Sequence, residues 1–322
     1  RRRAGEFFSM LGIWFVMSFF KILRLVLSQI TLSTIVMLNS TSMVNAADVL
    51  DKQFVPGVPY ATILIYGPLE PGDSQKLKEA IERQSKAGNL ILYLYLYSPG
   101  GDVETGIEIG RLARQYRLST SAPHRKITDF LAGMWVNECT LADPRVAVGR
   151  VTEAEDTNCV CASACALAWL GGVIRTGVVG FHRSSLAPNT SSAISFEDVE
   201  ASLSGANRAV SEYLSEVNAP DFVRELVWET PPDSISYISN EMASELVYDR
   251  IYQEYLIARC GPPMSDKDDI ELMLLENRTN RSDADERIFQ LLREKSDALG
   301  RCKRLAREEA TANAQGIKLP RQ

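Results

Sequence analysis

Two short segments carry residue types suited to acyl-transfer chemistry. Ser98-Pro99-Gly100-Gly101-Asp102 ends an apolar run, and Cys161-Ala162-Ser163-Ala164-Cys165 is followed by Gly180-Phe181-His182. His182 is one of only two histidines in the chain and lies 19 residues after Ser163. Attack on an acyl carbon needs a nucleophile, a base to take its proton and N–H donors for the oxyanion. Ser163 offers the hydroxyl and His182 the base. A Gly-Gly turn running into a helix N-terminus can present backbone N–H groups to negative charge, which is how an oxyanion hole can be made. Ala164 N–H, at the start of the next helix, is a second such donor. Each feature also has a plainer reading: a strand-to-helix turn, a helix-capping serine, a structural histidine. Cys161 and Cys165 are rival nucleophiles. His124, in the basic stretch Pro123-His124-Arg125-Lys126, is the poorer base.

These residues need elements to position them. Ala61–Tyr66 reads as a strand, and the turn Gly67–Gly72 leads to a helix capped by Asp73 or Ser74 and running to Lys86. That helix has Leu77, Ala80 and Ile81 on one face. Leu90–Tyr97, all Leu, Ile and Tyr, reads as a strand buried on both faces. A helix from Val103 to Tyr116 follows, its Gly106 and Gly110 making a face for close packing, and Leu118–Ala122 is the next strand. Strand, helix, strand, glycine turn, helix, strand is an α/β pattern with right-handed connections. Residues 123–160 break it and read as an insertion over the site. Ala162–Leu170 resumes as a buried helix, and Val178–Phe181 is a short strand that delivers His182. Helices are expected from Phe196 to Val217, Asp221 to Trp228 and Asn240 to Leu246. Beyond Pro262 the chain is charged, with scattered apolar positions, and residues 259–322 read as a charged helical region: a solvated tail first, with a hairpin that packs on a partner or on its own domain as the alternative.

The 322 residues are 45% hydrophobic and 24% charged, with a formal net charge of −6, enough for a sizeable core. No long basic run lies outside the N-terminus, which argues against a nucleic-acid partner. Residues 1–46 read as a secretion signal: Lys21 and Arg24 precede the mostly apolar Leu25–Leu38, and Val44-Asn45-Ala46 suits cleavage before Ala47. Met17 reads as the start. The alternative is an uncleaved membrane anchor, although the apolar stretch is shorter than the roughly 20 residues a span needs. Without residues 1–46 the formal charge is −10. Outside the cytoplasm the six cysteines can pair. Cys260 and Cys302 are a candidate clasp, while the pairing of Cys139, Cys159, Cys161 and Cys165 stays open. Zinc is the competing reading of that cluster, but its spacing fits no finger, and no metal or cofactor is expected.

Ser98-Pro-Gly-Gly-Asp, a serine among small residues at the start of a buried helix, and Gly-Phe-His-Arg, in this order, resemble the proteolytic subunit of Clp protease within the Clp/crotonase superfamily. A secreted, periplasmic Clp-protease-like branch with Cys-Ala-Ser-Ala-Cys and Gly-x-His-Arg segments is more similar still. The resemblance covers Ala61 to Tyr248. It implies an α/β fold, a spiral of ββα units over residues 47–258 with a C-terminal helical extension. It also implies Ser163 as nucleophile, His182 as base, and Gly100 and Ala164 as the oxyanion hole. Peptide or protein is the implied substrate and a homo-oligomer the implied assembly. The chain departs from the family in a shorter Ser-to-His separation, in the 123–160 insertion, and in its acid, for which Glu229 and Asp233 both stand in the expected region. An inactive binding or assembly module of the same fold is the competing reading. Crotonase chemistry on an acyl-coenzyme A is disfavoured by the signal segment.

Overall fold

The apolar runs pair into one five-stranded sheet, in the order 48–53, 60–66, 90–97, 119–121 and 175–176. In the computed structural model the described residues are 46–53, 58–123, 125–126, 136–137, 160–184 and 196–319. The strands are β1 (Asp48–Gln53), β2 (Tyr60–Tyr66), β3 (Leu90–Tyr97), β4 (Ser119–Ser121) and β7 (Arg175–Thr176). Only β1–β2 is antiparallel; the other three pairs are parallel. Helices α1 (Asp73–Lys86) and α2 (Val103–Gln115) make the crossovers from β2 to β3 and from β3 to β4. The result is a mixed α/β fold with a parallel-rich sheet and a helical C-terminal region. Two smaller pairings stand apart: β5 (Arg125–Lys126) with β6 (Val136–Asn137), and β8 (Gly180–Phe181) with β9 (Ser236–Tyr237), both antiparallel.

Burial explains the helix placement. Leu77, Ala80 and Ile81 of α1 are fully buried, as their spacing predicts. The cap differs from expectation: neither Asp73 nor Ser74 is the N-cap. Gly72 occupies that position at φ 99°, and the buried Asp73 carboxylate turns back to accept from Glu70 N–H at 2.9 Å and to pair with Lys76 at 2.7 Å. The β3 strand is also not buried on both faces. Leu94 and Leu96 are buried, whereas Tyr93 is 37% exposed and Tyr95 half-buried.

Small residues let the next layer close in. The short helix α3 (Ala164–Leu170) is buried along its whole length and lies against α2. A Cβ on Gly106 would collide with the Ala164 carbonyl, and one on Gly110 with the hydroxyl of Tyr213. Tyr213, from α4 (Phe196–Glu216), donates to Leu167 O at 3.0 Å and ties that helix to α3. Helix α5 (Asp221–Glu229) and α6 (Asn240–Glu245) follow. Asp249 then caps α7 (Arg250–Cys260) and pairs with Arg114 of α2 at 2.6 Å and, at 3.7 Å, with Arg175 of β7. Burial holds Arg175 down to about 10, the Asp249 charge opposing that fall.

The C-terminal region is more than a solvated tail. Helix α8 (Asp266–Glu276) and the 33-residue α9 (Asp283–Gln315) are antiparallel neighbours, and the end of α9 returns to the sheet. Gln315 donates to Ile91 O at 2.7 Å and accepts from Ile91 N–H at 3.0 Å, filling a gap in β3 where β4 no longer reaches. Arg307 bonds Leu92 O and Tyr93, and its guanidinium lies 4.3 Å from the Tyr93 ring centroid. The Cys260–Cys302 disulfide joins α7 to α9, as the clasp reading expects. Among the described residues no helix is long and apolar enough to cross a membrane. The signal segment, Met17, His124, Cys139, Cys159 and most of the 123–160 insertion lie outside the described residues.

Candidate active site

Three backbone segments that are distant in sequence run side by side. Ser98 N–H donates to Val160 O at 2.7 Å, Ala162 N–H to Ser98 O at 3.2 Å, Gly180 N–H to Cys161 O at 2.9 Å and Ser163 N–H to Gly180 O at 2.9 Å. Single parallel bridges pair Ser98 with Cys161 and Ala162 with Gly180. The Ser98–Gly100 turn, the Cys161–Ser163 strand end and the strand leading to His182 therefore meet at one place.

Ser163 sits at the strand-to-helix turn before α3 with φ 58° and ψ −126°. Left-handed backbone of this kind is costly for a residue with a side chain. The helix-capping reading does not hold, because Ser163 makes no side-chain cap bond. The side chain is half-buried and lies against the Gly100 backbone: a Cβ on Gly100 would come within 2.6 Å of Ser163 Cβ and 3.1 Å of its Oγ. Gly100 itself has φ 109°, so both the space and the backbone demand glycine there.

The two N–H groups expected to hold an oxyanion differ in their engagement. Ala164 N–H belongs to the first helical position, where it has no intrahelical acceptor. Gly100 N–H donates to the buried Ser98 Oγ at 3.1 Å. Asp102 caps α2 by accepting from Thr105 N–H at 2.8 Å, which fixes the helix behind the turn.

His182 is half-buried directly after β8, with Nδ1 2.9 Å from the carbonyl oxygen of Arg183. A carbonyl can only accept, so this contact puts the proton on Nδ1 and leaves Nε2 as the acceptor, the tautomer a general base needs. Arg183 N–H in turn donates to Thr230 O at 3.0 Å, which anchors the 229–233 segment beside the histidine. Glu229 and Asp233 on that segment are both exposed, and neither hydrogen-bonds to His182. Among the described residues no hydrogen bond joins Ser163 to His182. Main-chain partners such as Arg183 O and Thr230 O have no signature in the sequence, whereas Ser98 was visible as part of its motif but not as the partner of Gly100.

Cys161 and Cys165 are bonded to each other across Ser163. That removes them as rival nucleophiles and as zinc thiolates. The two disulfides among the described residues point to folding under oxidising conditions.

No family model matches the sequence, and no curated protein does. Among solved structures, a ClpP1 mutant from Listeria monocytogenes is similar at 13% identity with a TM-score of 0.34, over 58% of this chain and 86% of that chain. A likeness this weak decides nothing about the site.

Proposed function

We propose that the chain is an extracytoplasmic serine hydrolase, peptidase-like in substrate class, working through an acyl-enzyme. The observation that carries this reading is Ser163: a non-glycine residue held at φ 58° at a strand-to-helix turn, uncapped, with the Gly100 backbone against it. Strain of this kind persists where the surroundings enforce it, and a nucleophile raised on a sharp strand-to-helix turn is one recurring use.

In the reaction, His182 Nε2 takes the proton of Ser163 Oγ as the oxygen attacks the acyl carbon. The oxyanion takes Ala164 N–H, and Gly100 N–H once it turns from Ser98 Oγ. Collapse expels the amine, protonated by His182, and leaves an ester on Ser163. Water, deprotonated by His182, then hydrolyses that ester and restores the serine. The Arg183 carbonyl orients the imidazole through Nδ1–H, and Glu229 or Asp233 takes over that proton when the 229–233 segment turns inward. The same reading takes the fold as the Clp/crotonase spiral, residues 1–46 as a cleaved secretion signal and the assembly as a homo-oligomer. A fluorophosphonate probe tests the chemistry: wild-type protein is labelled on the peptide carrying Ser163, and Ser163→Ala is not. Equal labelling of the variant overturns the assignment.

A second reading, a binding or assembly module that keeps the fold without the reaction, is favoured by the engaged Gly100 N–H and the exposed Glu229 and Asp233. Wild-type protein inert to serine-directed probes that captures a partner through residues 262–322 supports it.

A further inference from the structure

The Cys161–Cys165 disulfide encloses Ser163 in a five-residue loop, with the serine at its centre. One end is fixed in the sheet-like ladder, where Cys161 bridges Ser98 and its carbonyl accepts from Gly180 N–H. The other end is fixed in the first turn of α3, where Cys165 N–H donates to Ala162 O at 3.0 Å. Both cysteines are fully buried. The residue between them holds a left-handed backbone that its side chain disfavours, and no side-chain cap secures it. A chain left to itself relaxes such a residue, so something must hold the two flanks at the spacing the turn requires. Stabilisation by loop closure is smallest for short loops, and the pair adds little that way.

We propose that the Cys161–Cys165 disulfide is a positioning device for the nucleophile, keeping Ser163 Oγ in attack geometry against Gly100. This deepens the serine-hydrolase reading and rests on it. Reduction by a dithiol would convert the disulfide to two thiols, with two electrons and two protons passing from the reductant, which becomes a cyclic disulfide. The turn would then relax and the serine lose its aim.

The test compares wild-type protein with Cys161→Ala/Cys165→Ala, using a chromogenic ester and the rate of fluorophosphonate labelling at Ser163. The expected result is a kcat lowered at least tenfold with KM within twofold, and labelling slowed in parallel. A folded double variant with kcat and labelling rate within twofold of wild type overturns the proposal. Should the variant fail to fold, folded wild-type protein is treated with dithiothreitol and its thiols are mapped by mass spectrometry. Slowed labelling once Cys161 and Cys165 are reduced, recovering on reoxidation, supports the proposal, and an unchanged rate overturns it. Cys260→Ala/Cys302→Ala, treated alike, separates any effect of the other mapped pair. Oxidised wild-type protein that is not labelled at all overturns the hydrolase reading and this proposal together, which distinguishes that failure from loss of the disulfide's role alone.

Discussion

At the scale of single residues, the site depends on backbone that few side chains tolerate. Gly100 is the sharpest case. Its φ of 109° alone costs a non-glycine residue about 1–3 kcal/mol, and a methyl group there would press on Ser163 Cβ and on the Ala162 carbonyl at 2.8 Å. Gly100→Ala is therefore expected to lower the melting temperature and to reduce fluorophosphonate labelling at Ser163 well below wild type. Normal labelling in a folded variant would show that the Gly100 contact does not position the serine. At His182 a main-chain carbonyl takes the Nδ1 proton, which fits the proposed general-base role with no carboxylate in contact among the described residues.

At the scale of elements, the C-terminal helix completes the sheet. Beyond its short pairing with β4, β3 exposes the N–H and carbonyl of Ile91 on that side, and Gln315 at the end of α9 satisfies both. Buried main-chain groups left without partners cost about 1–3 kcal/mol each. Gln315→Ala should thus destabilise the protein by roughly 2–6 kcal/mol, measured by urea unfolding with an unchanged m-value. A loss below half a kilocalorie, roughly the range for surface substitutions, would mean that water replaces the amide. The ion pairs along the α8–α9 hairpin, Lys295 with Asp268 and Arg278 with Asp285, are solvent-exposed and contribute little by comparison.

At the scale of the whole molecule, buried phenols set the alkaline limit. Burial pushes Tyr252 up to about 12 and raises Tyr213 further. Unfolded phenols release their protons near pH 10, where the folded chain still holds them. The unfolded state then binds fewer protons, so stability falls as pH rises from about 10 to 12. Arg175, held down to about 10, has the opposite sign: the folded chain sheds its proton first, and stability gains as pH rises above that value. Two phenols outweigh one guanidinium. Calorimetry between pH 9 and 11.5 should show a falling melting temperature, and a flat or rising one would contradict this assignment of the buried groups.

The sequence by itself determined the local elements. Apolar period marked α1, the glycine turn marked the start of α2, an unbroken apolar run marked β3, and Gly106 and Gly110 marked a face for close packing, which α3 and α4 fill. The motifs around Gly100, Ser163 and His182 were legible because glycine turns, small residues and a scarce histidine stand out in any chain. Tertiary structure alone decided the rest. That Gly100 N–H goes to Ser98 Oγ, that Arg183 O meets His182 Nδ1 while Thr230 O meets Arg183 N–H, and that α9 ends in the gap beside Ile91 all depend on main-chain groups or on pairs far apart in sequence. Every residue carries the same N–H and carbonyl, so their partners leave no mark in the letters. Even which residues of β3 reach solvent, Tyr93 and Tyr95 on the face that α9 only partly covers, follows from packing, because burial of a uniformly apolar strand is set by what lies on it.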